Sequence, residues 1–153
     1  GSSFSLVPVL CGSFSSVLER VSRPAEIAGV GPFLRTLGSL LDDDGQGLVV
    51  AGVDFSHIGP KFGHQERASS LLLEARTHDQ ALLDAFCRGD LLAFWAESQR
   101  VRDGYNVCGF PALASLLEAR PGLKGRCLDY EFWKEEPTQS AVSFAAVVLE
   151  SNG

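Results

Sequence analysis

Leu48-Val49-Val50-Ala51-Gly52-Val53-Asp54-Phe55-Ser56-His57-Ile58-Gly59-Pro60-Lys61-Phe62-Gly63 joins an unbroken apolar run to a polar loop punctuated by glycine and proline. A continuous hydrophobic segment flanked by turn residues is the pattern of a strand covered on both faces, as strands are in mostly parallel sheets. Sheets of that kind carry their ligand sites beyond the carboxyl ends of the strands, where loops can hold polar groups that a buried strand cannot. Asp54 and His57 stand at that end and are the first candidate site residues. The same spacing also suits a plain turn, in which Asp54 caps the chain and His57 packs beneath Phe62.

Outward from this stretch, helix and strand signals alternate. Phe4 to Leu10 reads as a short apolar strand interrupted by Pro8. Pro32 sits where a first helical turn starts, and Phe33, Leu37, Leu40 and Leu41 follow at helical spacing up to Asp42-Asp43-Asp44-Gly45, a solvated turn without the alternating ligands of a calcium loop. Glu66 to Phe86 places Leu71, Leu72, Ala75, Leu82, Leu83 and Phe86 on one recurring face, which predicts a long amphipathic helix. Asp90 is placed to cap a further helix containing Phe94 and Trp95. Residues 100–106 read as a loop, and Pro111 opens a helix over 112–118 that Pro121-Gly122 ends. Two last strands, near 125–133 and 141–150, are joined by a polar hairpin loop. With strands also near 4–10 and 47–54, the expected class is α/β, a mostly parallel central sheet flanked by helices.

Composition bounds the function. A chain of 153 residues can bury roughly 70% of its unfolded surface as one domain, and 45% hydrophobic with 21% charged residues is the balance of a folded enzyme domain, so disorder is not expected. The net charge of -6 and scattered Lys and Arg argue against nucleic acid as a partner. No apolar run is long enough for a membrane span, and no signal-peptide pattern is visible. The four cysteines, Cys11, Cys87, Cys108 and Cys127, lack zinc-framework spacing and read as free thiols of a reducing, cytoplasmic compartment. The chain contains no methionine and begins Gly1-Ser2-Ser3, which together read as a cut site or cloning remnant and lead to the expectation of a fragment.

Cys108-Gly109-Phe110-Pro111 carries the third candidate. A thiol just ahead of a helix meets unsatisfied backbone N–H groups and the positive end of the helix dipole, which favours the thiolate that acts as nucleophile or metal ligand. The alternative is a buried cysteine serving as a small hydrophobe. Tyr105, three residues earlier, is placed to reach the mouth of a pocket or else to cover apolar surface. His64 is expected to face solvent, and His78, beside Asp79 within the long helix, to bond between helices or to lie at the surface. Cys11 is read as structural.

Leu6-Val7-Pro8-Val9-Leu10-Cys11-Gly12, the Asp54 to Phe62 loop, Cys108-Gly109-Phe110-Pro111 and Ser140-Ala141-Val142-Ser143-Phe144-Ala145-Ala146 together resemble the Memo-like proteins, whose domain is related to the class III extradiol dioxygenases. Order and spacing both match. The resemblance covers residues 1–153 as one domain and corresponds to a carboxyl-terminal half. It implies that Cys108 is a metal ligand acting with two histidines of an amino-terminal half, that His57 lines the metal pocket where the dioxygenases place an acid/base histidine, and that Asp54 orients that ring or contacts metal-bound water. The related dioxygenases hold iron(II) with a carboxylate where this chain has Cys108, and a thiolate there softens the site toward copper. Iron(II) or copper is thus the implied cofactor.

Two functional classes follow. One is a redox or dioxygenase-like metal site acting on a small aromatic ligand and completed by the missing half or by self-association. The other is a scaffold that binds a metal or a peptide without turnover, since fold alone does not fix function.

Overall fold

The computed structural model describes residues 5–42 and 47–151; residue 4, the first of the expected opening strand, and the acidic turn at 43–45 lie outside them. Helices α1 (Val30–Asp42), α2 (Ala68–Cys87), α3 (Leu91–Arg100) and α4 (Phe110–Ala119) and strands β1 (His57–Ile58), β2 (Leu123–Glu135) and β3 (Ser140–Ser151) follow one another in the order α1-β1-α2-α3-α4-β2-β3. The helices begin where the local chemistry directs. Asp90 accepts the Ala93 N–H at 3.0 Å and starts α3, and Pro111, which has no N–H to satisfy, lies in the first turn of α4.

The α/β class holds, but the sheet is antiparallel, not mostly parallel. Its order is β1-β3-β2, with His57 opposite Val142 in the first pair and Trp133 opposite the same residue in the second. The long β2–β3 hairpin closes through a single 3₁₀ turn, Glu136–Thr138, and shifts register between Cys127 and Asp129. The strands expected at 4–10 and 47–54 do not form among the described residues: neither segment joins a ladder, and Leu10 and Leu48 are 99% and 87% exposed. An apolar run records a demand for cover on two faces, whereas the ladder partner is set by long-range pairing. Here the second edge of β3 is taken by His57–Ile58 instead.

The flanking is one-sided too. β3 alternates, with Ala141 and Ser143 buried and Phe144 and Val148 exposed on the opposite face, while α2 packs against all three strands. The main core joins α2, α3 and α4 through Leu82, Leu83, Phe86, Phe94, Trp95, Phe110, Leu113 and Leu117, and the turn at residues 14–21 is folded onto it by Phe14 and Leu18. A smaller core of Ile58, Ala68, Ala75 and Ala141 lies beneath the Asp54 loop. No described helix is long and apolar enough to cross a membrane.

Candidate functional site

Two chain segments build the site. The first, residues 54–58, is locked to β3 by Phe55 N–H to the Ser143 carbonyl at 2.9 Å and by Ser143 N–H to the Ser56 carbonyl at 2.9 Å. Gly59 then turns the chain at φ 103°, a conformation open to glycine, and a side chain there would meet the Gln139 carbonyl at 2.7 Å. The second segment, residues 101–109, leads into α4. It is held by Asp103, whose Oδ1 accepts the Val107 N–H at 3.2 Å; burial pushes the Asp103 carboxyl up from its ordinary value, and this bond partly offsets the shift.

The segments meet at Asp54. Gly109 donates its N–H to the Asp54 carbonyl at 2.9 Å, and the Cys108 thiol reaches the same oxygen at 3.6 Å. A Cβ at position 109 would lie 2.6 Å from that carbonyl and 2.9 Å from Val53 Cγ2, so only glycine permits the approach. We predict that Gly109→Ala costs about 1–3 kcal/mol, the range for overpacking against backbone that cannot yield. Urea unfolding of the two proteins reads this directly as a lowered midpoint at constant slope.

The structure brings Asp54, His57 and Cys108 together: one donor atom from each lies within 4.8 Å of the others. His57 Nδ1 is 3.0 Å from the Phe55 carbonyl and 3.1 Å from the Asn106 carbonyl. Both neighbours only accept, so Nδ1 carries a proton, and in the neutral imidazole the lone pair therefore rests on Nε2. That nitrogen is 3.8 Å from Asp54 Oδ2. The ring also stands edge-on to Phe62 at 4.9 Å, the packing contact of the plain-turn reading, so apolar contact and polar cluster coexist on one side chain. Asp54 is half exposed, which leaves the cluster open on one side.

Tyr105 does not join the three donors through its side chain. Its hydroxyl meets Glu74 Oε2 of α2 at 3.3 Å and its ring lies against His78, while its carbonyl accepts the His57 N–H at 2.8 Å. Burial and Glu74 together raise its phenol above the ordinary value. His64, expected to face solvent, is half-buried and bonds the Gly104 carbonyl through Nε2 at 2.8 Å. His78 is fully buried and bonds Glu97 of α3 at 2.7 Å, the interhelix one of the two placements expected for it and not the surface one. All four cysteines are free, and Cys11, Cys108 and Cys127 are exposed. A larger groove, bordered by Val49, Leu113, Val147 and Leu149, lies against residues 47–53 and includes none of the three donors.

Sequence reasoning missed Asn106. Its backbone adopts φ 51°, its carbonyl fixes the His57 tautomer, and its side-chain amide donates to the His57 and Phe62 carbonyls at 3.2 Å each. Asparagine is the non-glycine residue best suited to that backbone region, and this was the available signal in a polar loop two residues ahead of Cys108.

Fold and site define an α/β protein with one oxygen, one nitrogen and one sulfur donor gathered where two loops cross. The chain belongs to the Memo-like protein family, whose profile matches residues 24–148. It is 34% identical over 129 residues to a MEMO1 family protein of Thermus thermophilus, covering 82% of this chain and 38% of the relative. A second MEMO1 family protein, from Aquifex aeolicus, is 31% identical over 119 residues, covering 72% of this chain and 29% of that protein. The chain thus spans about a third of the length of these relatives.

Proposed function

We propose that this chain supplies one wall of a redox-type metal site, with Cys108 Sγ and His57 Nε2 as ligands and Asp54 as a third donor or as the acceptor for a metal-bound water. The observation that carries the reading is the clustering of the three donor atoms within 4.8 Å, with the His57 tautomer set so that Nε2 is the free atom. The donor set fits the group: thiolate and imidazole suit copper and iron, and the half-exposed side leaves room for further ligands. Iron or copper, when bound, would supply one-electron and oxygen chemistry. This chain's residues would hold the ion, fix the imidazole and keep a carboxylate beside it. The remaining ligands would come from an amino-terminal half or from self-association, and the open side would admit a small aromatic or peptide ligand.

A second role for His57 is carried by its 3.8 Å approach to Asp54: an imidazole whose Nε2 is free can take a proton from a bound substrate. Anaerobic titration with iron(II) and copper(I) tests the reading. About one equivalent bound, and lost in His57→Ala, is expected for a ligand. Binding unchanged in that variant would remove His57 from the ligand set and leave only the proton-accepting role for it, and no specific binding would leave a scaffold. Oxygen uptake with a catechol then separates turnover from storage of the metal.

A further inference from the structure

We propose that Asp79, buried inside α2 and remote in sequence from both loops, is a positioning residue that aims His57 at Cys108. The inference rests on the metal-site reading for its purpose but not for its test. Asp79 has no exposed surface and forms no ion pair within 4.0 Å among the described residues; the Arg76 guanidinium, one turn earlier in α2, lies instead over the Tyr130 ring at 5.1 Å. Instead it accepts three hydroxyls at 2.6 Å: Ser56 on Oδ1, and Ser143 and Tyr130 on Oδ2. One carboxylate therefore ties α2 to the Asp54 loop, to β3 and to β2.

The chemistry of the acceptor orders the protons. A carboxylate only accepts, so all three hydroxyls must donate to it. Ser143 Oγ, its proton committed, receives the Ser56 N–H at 2.8 Å. Ser56 is thus held at both its amide and its hydroxyl. Burial, followed by the Asp79 carboxylate, pushes the Tyr130 phenol well above its ordinary range and keeps it a donor.

Ser56 immediately precedes His57, and successive side chains of an extended chain point to opposite faces. Locking the Ser56 hydroxyl inward therefore sends the His57 ring outward, where Nδ1 meets the Phe55 and Asn106 carbonyls and Nε2 faces Asp54. The same turn of α2 steadies the other loop, because the His78 ring packs against Tyr105, whose carbonyl accepts the His57 N–H. A buried carboxylate without a direct ion pair is costly unless its hydrogen bonds are complete. Three completed bonds converging beneath one site residue give this one a positional role.

Asp79→Asn changes the hydrogen-bond logic with almost no change of shape, since the amide presents one acceptor and one donor group where the carboxylate presents two acceptors. In either orientation Ser56, or the Ser143–Tyr130 pair, loses its acceptor. Ser56→Ala is the milder companion variant. The readout is the separation of the His57 Nδ1 and Nε2 nitrogen-15 shifts in the metal-free 153-residue chain, with His64 as internal control. We expect the wide separation of a single tautomer in the parent chain, and a fall by roughly half or more in both variants as the second tautomer is populated, with His64 unmoved. An unchanged His57 would overturn the proposal, as would equal changes at His57 and His64 or outright unfolding of Ser56→Ala, each of which points to general stability instead. Failure to bind metal in the titration above sinks the metal reading and leaves this test standing.

Discussion

Cys108→Ala is expected to weaken specific iron(II) or copper(I) binding by about 100-fold or more while leaving the fold in place. Loss of a group that merely orients a ligand costs about 10–100-fold in metal affinity, so loss of a ligand atom itself should reach or pass the top of that range. The fold survives because Cys108 is exposed and its thiol makes one long contact, 3.6 Å to the Asp54 carbonyl. The Gly109 N–H, which anchors the two loops to that carbonyl, belongs to the backbone and is untouched. Unfolding free energy should therefore change by about 0.5 kcal/mol or less, as for other exposed positions.

The controls come from the remaining thiols. Cys11 and Cys127 are exposed as well, and Cys127 bonds the Asp129 carbonyl in its own strand at 3.2 Å, away from the cluster. A soft metal that binds any accessible sulfur would lose about as much from Cys127→Ala as from Cys108→Ala. A built site loses binding with Cys108 alone. Proton release on binding adds a second readout, because a thiol must deprotonate to become a ligand. Undiminished affinity in Cys108→Ala would remove the thiol from the ligand set and leave Asp54 and His57 to account for any binding.

How much of this was legible depended on whether the signal was local. The cap at Asp90, the proline in the first turn of α4 and the apolar stripe of α2 are written in neighbouring residues, and each element formed close to where it was expected. The stripe even held an unread clue. Between Ala75 and Leu82 the buried face continues through His78 and Asp79, two polar residues at helical spacing, and an interruption of that kind marks a buried polar network. Strand pairing is not local. Leu48–Val53 was correctly apolar, but nothing in it specifies a neighbour, and the parallel expectation failed on that account. Asp54, His57 and Cys108 could be singled out because their types and positions are suggestive, yet what supports them could not. Asn106 bonds a histidine 49 positions away, and Ser143 meets Asp79 across 64.

Trp95→Ala should be the most destabilising of these substitutions, at about 3–5 kcal/mol by the usual cost of removing a fully buried aromatic. Trp95 is 0% exposed, and its ring lies 5.1 Å from Phe110 and 5.8 Å from Phe14. Its indole N–H donates to the Val21 carbonyl at 2.8 Å, and with Phe14 and Leu18 it folds residues 14–21 onto α3 and α4. Removing the ring leaves a large void but not an orphaned carbonyl, because the Gln99 amide also donates to Val21, at 3.0 Å, and to Leu18 at 2.7 Å. The loss is therefore mainly one of packing, and Trp95→Phe, which keeps most of the apolar area, should recover much of it. Phe110 opens α4 two residues after Cys108, and a cavity beside it slackens the helix start that sets the thiol. Denaturant titration should show a lower midpoint for Trp95→Ala, with metal affinity falling less than in Cys108→Ala. A stability change below about 1 kcal/mol would mean that residues 14–21 are not held by this ring and would require a different account of the core.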